Sequence, residues 1–275
     1  MKRILFYSSV NSLELFKTQK FYQIDISILK DLGYDVLLSN RIFDSLLFWK
    51  YDILFSYFYR YSFFAALLAK CFGKKTYFTG GIDSLDSDYA SAFNYKIQAL
   101  FFKLCYWVAD SCIIVSQSDL KNIFKVSSLK KKLSYSEHVI NTKLFIADVP
   151  KEKIFTSIVW MGDEGNVVRK GVDKALQIFA ELKKIPEFVD YRFVIIGRKG
   201  EGEVLVRSII DKYNLKGSVE LKGEVSEEDK INLLKQSKYY FQLSLYEGFG
   251  LAALEALCAN NIIICLLYTS PSPRD

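Results

Sequence analysis

Strand patterns and helix patterns alternate along this chain, and the alternation limits the folds open to it more than any other feature. Short apolar runs are separated by longer segments with the spacing of amphipathic helices. This order is typical of a doubly wound parallel sheet, which binds ligands at the carboxyl edge of its strands. In the first half we predict strands at 2–8, 35–39, 52–57, 75–79 and 111–116, and helices at 18–32, 61–72 and 91–109.

A polar segment at residues 147–153, which contains Pro150, separates this half from a second one. The same alternation then restarts, so we predict two α/β domains, at 1–148 and 149–266. The 275 residues are sufficient for two domains of ordinary size. In the second half we predict strands at 155–161, 191–196, 219–221 and 240–245, and helices at 171–184, 204–213 and 226–236.

The stretch 243–260 joins a buried strand to a helix through a turn that contains two glycines. Gly248 and Gly250 lack a Cβ, so a ligand can approach the backbone closely there. The N-terminus of the following helix offers unpaired N–H groups and a positive dipole end, which bind phosphate. Glu247 and Glu255 add carboxylates that accept hydrogen bonds from sugar hydroxyls. Together these features predict a sugar nucleotide as the ligand.

The same stretch resembles the signature of glycosyltransferase family 4, also called the group 1 glycosyltransferases. The family pattern is E-G-F-G-L-P-x-x-E-A-x-A-x-G-x-P-V-I, and the chain departs from it at Ala252 and at residues 260–262. These departures affect the helix start and the following turn, but not the two carboxylates. The resemblance implies an α/β fold of the GT-B type, with two Rossmann-like doubly wound domains that face each other across a cleft. The residues in register are Glu247, Gly248, Phe249, Gly250, Leu251, Glu255, Ala256 and Ala259.

The resemblance further implies a retaining glycosyltransferase that moves a sugar from a nucleotide diphosphate donor, such as a UDP- or GDP-sugar, to an acceptor hydroxyl. On the same basis we expect no metal or other cofactor, and a glycan or lipid-linked acceptor in cell-surface polysaccharide synthesis. The catalytic candidates are Glu247, which holds the donor sugar, and Lys170, whose charge stabilises the departing diphosphate. Glu255 binds the ribose. The backbone amides on the diphosphate are those of Gly248, Phe249, Gly250 and Leu251.

Around the basic pair, the family pattern matches less completely. Lys170-Gly171 matches the K-G of the family, but Gly162-Asp163 stands where relatives have G-R. Arg169 either supplies the missing positive charge or is a solvated loop arginine, and the sequence favours neither.

Two further turns are assigned from the resemblance. Gly197 marks a turn near the nucleotide base, or is only a glycine in a structural turn. In the turn that starts at Gly80, Gly81 and Asp83 are assigned to the substrate, although the family has histidine at the first of these positions. His138 is the only histidine of the chain, and its place in the family pattern indicates a structural rather than a catalytic role.

A second hypothesis is a homologue that keeps the fold and binds sugar nucleotides without transfer, or an inactive fragment. Asp163 and Gly80 motivate it, together with the segment 267–275, which does not resemble the family. We expect that segment to be a non-native tail and the second domain to be incomplete at its C-terminus. A dinucleotide oxidoreductase is disfavoured, because residues 8–12 contain no glycine and so lack the G-x-G-x-x-G fingerprint.

The charge and the cysteine content of the chain limit which binding partners and which cellular compartment we expect. The net charge of +6 comes without a long basic run, so we set nucleic acid aside. Five cysteines without C-x-x-C spacing indicate reduced core residues of a cytoplasmic protein. Helix patterns at 63–72 and 100–107, with lysines nearby, fit either a membrane face or core helices with basic edges. Contact with the inner face of the membrane therefore stays open at this point.

Overall fold

A computed structural model describes residues 1–86, 90–146, 149–247 and 249–266. The chain divides into two compact units, Met1–Val139 and Ile140–Asp275. Each unit has its own sheet and its own core of buried side chains. Within the described residues all strand pairs are parallel and helical segments connect the strands, so the predicted α/β class is confirmed.

The described residues of the first unit form one parallel sheet with helices between its strands. The strands are β1 (Arg3–Ser8), β2 (Asp35–Ser39), β3 (Ile53–Tyr57), β4 (Lys75–Thr79), β5 (Ser111–Ile114) and β6 (Leu133–Tyr135). The α-helices are α1 (Leu15–Thr18), α2 (Lys20–Asp31), α3 (Ser62–Cys71), α4 (Ala92–Val108) and α5 (Gln117–Val126), and 3-10 helices span Ile42–Leu46 and Asp83–Leu85. The strand order is β2-β1-β3-β4-β5-β6.

Burial on both faces explains why the first segment is a strand. Five of the six residues of β1 are buried. Leu5 and Tyr7 join one apolar cluster, whereas Ile4 and Phe6 join another. Alternate side chains of a strand point to opposite faces of the sheet, so β1 is covered on both sides, as parallel sheets require.

The second unit repeats this architecture in its described residues. Its strands are β7 (Glu152–Ile158), β8 (Arg192–Ile196), β9 (Val219–Gly223), β10 (Ser237–Gln242) and β11 (Ile262–Cys265). Its α-helices are α6 (Glu164–Arg169), α7 (Val172–Leu182), α8 (Glu203–Lys212), α9 (Glu227–Gln236) and α10 (Leu251–Cys258), and 3-10 helices span Thr142–Leu144 and Pro186–Phe188. The strand order is β11-β10-β7-β8-β9, so the direction of winding reverses between β7 and β10. Ligands of doubly wound sheets bind beyond the carboxyl ends of the strands at such a reversal.

Two strands begin and end earlier in the chain than the sequence predicts. The segment predicted at 155–161 is β7, and the one predicted at 240–245 is β10. Polar residues hide the true start of β10, because Ser237 is fully buried. Its hydroxyl donates to the Leu233 carbonyl oxygen at 2.7 Å and also bonds the Thr156 hydroxyl. These two hydrogen bonds, one local and one to the neighbouring strand, offset the cost of burying a polar side chain.

The division between the units falls after residue 139, slightly earlier than the expected boundary at 148/149. Ile140 and Phe145 pack against Leu234 and Tyr240 of the second unit. The segment that follows β6 therefore contributes to the second core. The predicted tail at 267–275 lies outside the described residues.

Candidate functional site

The carboxylate of Glu247 lies just beyond the carboxyl end of β10, where the strand order reverses. Its Oε1 accepts hydrogen bonds from Lys170 Nζ at 2.5 Å, Gln242 Nε2 at 2.7 Å and Ser244 Oγ at 2.8 Å. The side chains of Lys170 and Glu247 are 23% and 13% exposed, so solvent screens this ion pair only in part. Three donors on one oxygen hold the carboxylate in a single orientation.

A close approach of two backbone segments holds the lysine beside the carboxylate. The Leu245 N–H donates to the Arg169 carbonyl oxygen at 2.8 Å. Gly171 has a φ of +67°, and a Cβ on it would lie 2.0 Å from the Leu243 carbonyl oxygen. Only glycine fits there, because any side chain would collide with backbone. In the K-G pair, Gly171 therefore allows the close approach to Leu243, and Lys170 places its ammonium group on Glu247.

The residues before this lysine form helix α6 (Glu164–Arg169) and not a loop. This bears on whether Arg169 is a solvated loop arginine. Asp163 accepts a hydrogen bond from the Asn166 N–H at 2.6 Å and so caps α6. Arg169 ends this helix and is half-buried rather than a solvated loop residue. Its guanidinium donates to Asn166 Oδ1 at 2.7 Å and to the Tyr246 carbonyl oxygen at 3.5 Å. Arg169 therefore lies beside the turn that follows β10, and Asp163 has a capping role.

Helix α10 begins directly after that turn. Its N-cap, Gly250, has a φ of +79°, in the left-handed region that favours glycine. Phe249, Gly250 and Leu251 are half-buried, whereas Gly248 lies outside the described residues. The positive end of the helix dipole and the charges of Lys170 and Arg169 all lie at the carboxyl edge of the sheet, next to the turn that follows β10. Binding of the diphosphate by these amides stays a prediction.

Glu255 lies within α10 and is only 3% exposed. Its Oε2 accepts a hydrogen bond from Lys230 Nζ at 2.8 Å, and Lys230 also pairs with Glu227 at 3.0 Å. Burial raises the pKa of Tyr240, and the charges of Glu247 and Glu255 raise it further. Both carboxylates are thus within electrostatic reach of one buried tyrosine, while the ribose role of Glu255 stays a prediction.

The other assigned residues belong to turns after other strands. Gly197 follows β8 with a φ of +132°, and a Cβ on it would lie 2.0 Å from the Val159 carbonyl oxygen. The close packing of two backbone segments therefore explains why residue 197 is glycine. A role for Gly197 near the nucleotide base stays a prediction. Gly81 and Asp83 belong to the first unit, in the turn after β4. Gly81 is half-buried, and the side chain of Asp83 is outside what the structure describes.

Sequence reasoning misses two residues of the site, Gln242 and Ser244. Both are buried, with 9% and 2% exposure, and both donate to Glu247. They stand two positions apart at the end of a buried strand, so their side chains point to the same face. The sequence signal that could have identified Gln242 and Ser244 is their spacing: two polar residues, separated by one apolar residue, stand just before Glu247. As for metal ligands, the described residues contain no group of three or more His, Cys, Asp or Glu that could hold an ion.

His138 lies in the first unit, where it lines a cavity together with Asp25 and Glu137. Burial lowers the pKa of His138 below its ordinary value of 6.5. The folded protein therefore holds this proton less tightly than the unfolded chain does. The stability that neutral His138 provides is complete above pH 6.5 and is lost as the pH falls through this value towards the folded pKa.

We therefore expect the free energy of unfolding to fall as the pH is lowered from about 7.5 to about 5.5, and a His138→Asn variant to show a flatter profile. Urea denaturation at a series of pH values measures this difference. The pKa of Asp25 is raised by burial, which acts in the opposite direction at lower pH, so the comparison stays above about pH 5. Equal slopes for the two proteins would show that His138 is not the group responsible.

Comparison with solved structures defines the class of protein. HepE of Anabaena, in a crystal structure with UDP and glucose, matches 98% of this chain and 82% of its own, with a TM-score of 0.72 and 12% identity. The chain therefore has the GT-B glycosyltransferase fold that the sequence predicts. Within this class, residues 165–272 match the family model for glycosyl transferases group 1. This match confirms the resemblance inferred from residues 243–260.

Curated relatives align with about a third of the chain. The GDP-mannose:cellobiosyl-diphosphopolyprenol alpha-mannosyltransferase of Xanthomonas oryzae pv. oryzae is 35% identical over 99 residues, which cover 35% of this chain and 25% of the relative. One component of the human phosphatidylinositol N-acetylglucosaminyltransferase is 33% identical over 90 residues, 33% of this chain and 18% of the relative. The matched region thus spans a quarter or less of these two relatives.

Proposed function

We propose that this chain transfers a sugar from a nucleotide diphosphate donor to an acceptor hydroxyl. The observation that carries the proposal is the Lys170–Glu247 pair at the strand-order reversal, next to the N-terminus of α10. Cleavage of a sugar–phosphate bond builds negative charge on the departing diphosphate. A fixed ammonium group and a helix N-terminus stabilise this charge more in the transition state than in the ground state, which lowers the barrier.

The ion pair also suits a ligand that carries both phosphate and hydroxyl groups. Oε1 of Glu247 is occupied by Lys170, Gln242 and Ser244. A carboxylate has a second oxygen with acceptor capacity, and this oxygen can receive hydrogen bonds from hydroxyls of the donor sugar. In this proposal Lys170 faces the diphosphate, Glu247 orients the sugar and Glu255 binds the ribose.

The chemistry we propose is transfer with retention of configuration and without a metal. The acceptor attacks from the face that the diphosphate leaves, and the departing phosphate oxygen takes the acceptor's proton. No imidazole is then needed as a base, which agrees with the glycine at position 80, where the family has histidine. In this proposal Lys170 and the α10 amides provide the charge stabilisation that a metal ion provides in metal-dependent enzymes with a phosphate leaving group.

The names of the similar proteins support a choice of substrates. One relative is named for GDP-mannose and a diphosphopolyprenol-linked acceptor, another for phosphatidylinositol, and HepE is solved with UDP and glucose. We therefore propose a UDP- or GDP-sugar as donor and a lipid-linked glycan as acceptor, in cell-surface polysaccharide or glycolipid synthesis on the cytoplasmic side of the membrane.

Isothermal calorimetry with UDP and GDP tests the donor site. We expect one nucleotide to bind, and Glu255→Ala to weaken its binding by about tenfold or more, since hydrogen bonds to a charged group are lost. Glu227→Ala is the matched control, because it removes the other carboxylate on Lys230 and leaves α10 intact. Donor hydrolysis or transfer that persists in EDTA supports the metal-free mechanism. Nucleotide binding without either reaction would favour the non-catalytic homologue instead.

A further inference from the structure

Helix α4 of the first unit presents an unusual outer face. Its residues Phe93, Lys96, Leu100, Lys103 and Trp107 are all exposed, and they recur at the three- and four-residue spacing of one helix face. Phe93, Leu100 and Trp107 are 72%, 57% and 69% exposed. The opposite side of α4 is packed in the core of the unit, so this outer stripe is not needed for folding.

Helix α3 extends the same surface with aromatic rings. The ring of Phe101, on α4, lies 6.3 Å from the ring of Tyr61 and 6.3 Å from that of Phe64. Tyr61 and Phe64 are 53% and 43% exposed. We call this surface the α3–α4 face, defined by Tyr61, Phe64, Phe93, Leu100 and Trp107 with the two lysines of the stripe. Exposed apolar side chains grouped in this way on two neighbouring helices mark an interaction site.

The charge of the two helices has one sign. Neither α3 nor α4 contains an acidic residue, although the chain has 31 Asp and Glu in total. Lys70, at the end of α3, binds both carboxylate oxygens of Asp110 at 2.9 Å, so it contributes little net charge. The positive charge of the face therefore comes from Lys96 and Lys103, which alternate with the apolar side chains.

We propose that the α3–α4 face docks on the surface of an anionic lipid bilayer. Rings and aliphatic side chains interleaved with lysines are the composition of interfacial helices, whose apolar groups enter the boundary below the headgroups. Lysine side chains can bury their stems beside those groups and keep the ammonium at the level of lipid phosphates. Within the described parts of the chain no helix is long and apolar enough to cross a membrane, so the contact is with the surface.

Co-sedimentation with vesicles tests the proposal without reference to catalysis or donor binding. The probes are vesicles of equal parts phosphatidylglycerol and phosphatidylcholine, and vesicles of phosphatidylcholine alone. We expect the full chain to bind the first type more tightly and to release it as salt is raised. Leu100→Ser/Trp107→Ser should lower the partition coefficient by at least about tenfold. Lys96→Ser/Lys103→Ser should lower it by about tenfold or more on anionic vesicles only.

The matched control is Lys184→Ser/Lys216→Ser in the second unit, which removes the same charge from side chains that are 69% and 76% exposed. It should bind like the unchanged chain. Equal losses in the control and in the α3–α4 variants would overturn the proposal, because net charge alone would then explain binding. Light scattering that shows a dimer of this chain, lost in Leu100→Ser/Trp107→Ser and without vesicle binding, would also overturn it by assigning the face to a second copy.

Discussion

Replacing Lys170 with alanine is expected to lower kcat/KM for sugar transfer by about a hundredfold to a thousandfold, the usual cost of removing one preorganised charge-stabilising donor. The ammonium group is the cation that contacts the site carboxylate, at 2.5 Å. Without it, the α10 N-terminus and Arg169 remain as the positive groups beside the turn that follows β10. Glu247 retains its hydrogen bonds from Gln242 and Ser244, so the variant should fold.

Steady-state kinetics with the nucleotide sugar that binds in calorimetry measures this effect, and urea denaturation verifies folding. Lys184→Ala serves as control, since its ammonium pairs with the exposed Glu181 at 2.7 Å. Combining Lys170→Ala with Glu247→Gln should cost little more than the worse of the two single changes, because groups that act as one unit are not additive. A loss below about fivefold in a folded Lys170→Ala variant, or strictly additive losses, would contradict the assignment.

Local sequence patterns were sufficient for most of the fold. Strands β2 and β4 have the predicted bounds, because each is a short apolar run closed by turn residues. Ser226 caps α9 by accepting a hydrogen bond from the Asp229 N–H at 3.0 Å, as its acidic first turn predicts. The E-G-F-G turn likewise predicts the helix that starts at Leu251. In all these cases the signal and the structure lie within a few residues of each other.

The parts that escape prediction depend on side-chain partners that the sequence pattern does not reveal. Ser237 belongs to a buried strand only because Thr156, from the neighbouring strand, shares its hydrogen bond. Gln242 and Ser244 become site residues because the turn brings the Glu247 carboxylate back over them. Helix α6 was hidden for a different reason: its six residues are too few to show a helical period, and only Asp163 as N-cap signals it. Sequence periodicity therefore predicts helices and strands, but it does not predict which side chains become hydrogen-bond partners.

Gly171→Ala is expected to lower the free energy of unfolding by about 3 kcal/mol or more, because two costs combine at this position. The φ of +67° disfavours any residue with a Cβ, and the new Cβ would lie 2.0 Å from the Leu243 carbonyl oxygen. The second cost cannot be relieved by a rotamer change, since the obstacle is backbone at the end of β10. If the two segments separate instead, Lys170 moves away from Glu247, so nucleotide binding should fall together with stability.

The Gly217→Ala variant separates the cost of the left-handed backbone conformation from the cost of the steric clash. Gly217 lies in the same unit with a φ of +84°, but a Cβ on it would meet nothing within 4 Å. Its alanine variant should therefore lose only about 1 kcal/mol, the cost of the left-handed conformation, and should bind nucleotide normally. Urea denaturation of both variants gives the difference. Equal losses would mean that the backbone at residue 171 can relax, and the close approach that positions Lys170 would then no longer explain why glycine follows this lysine.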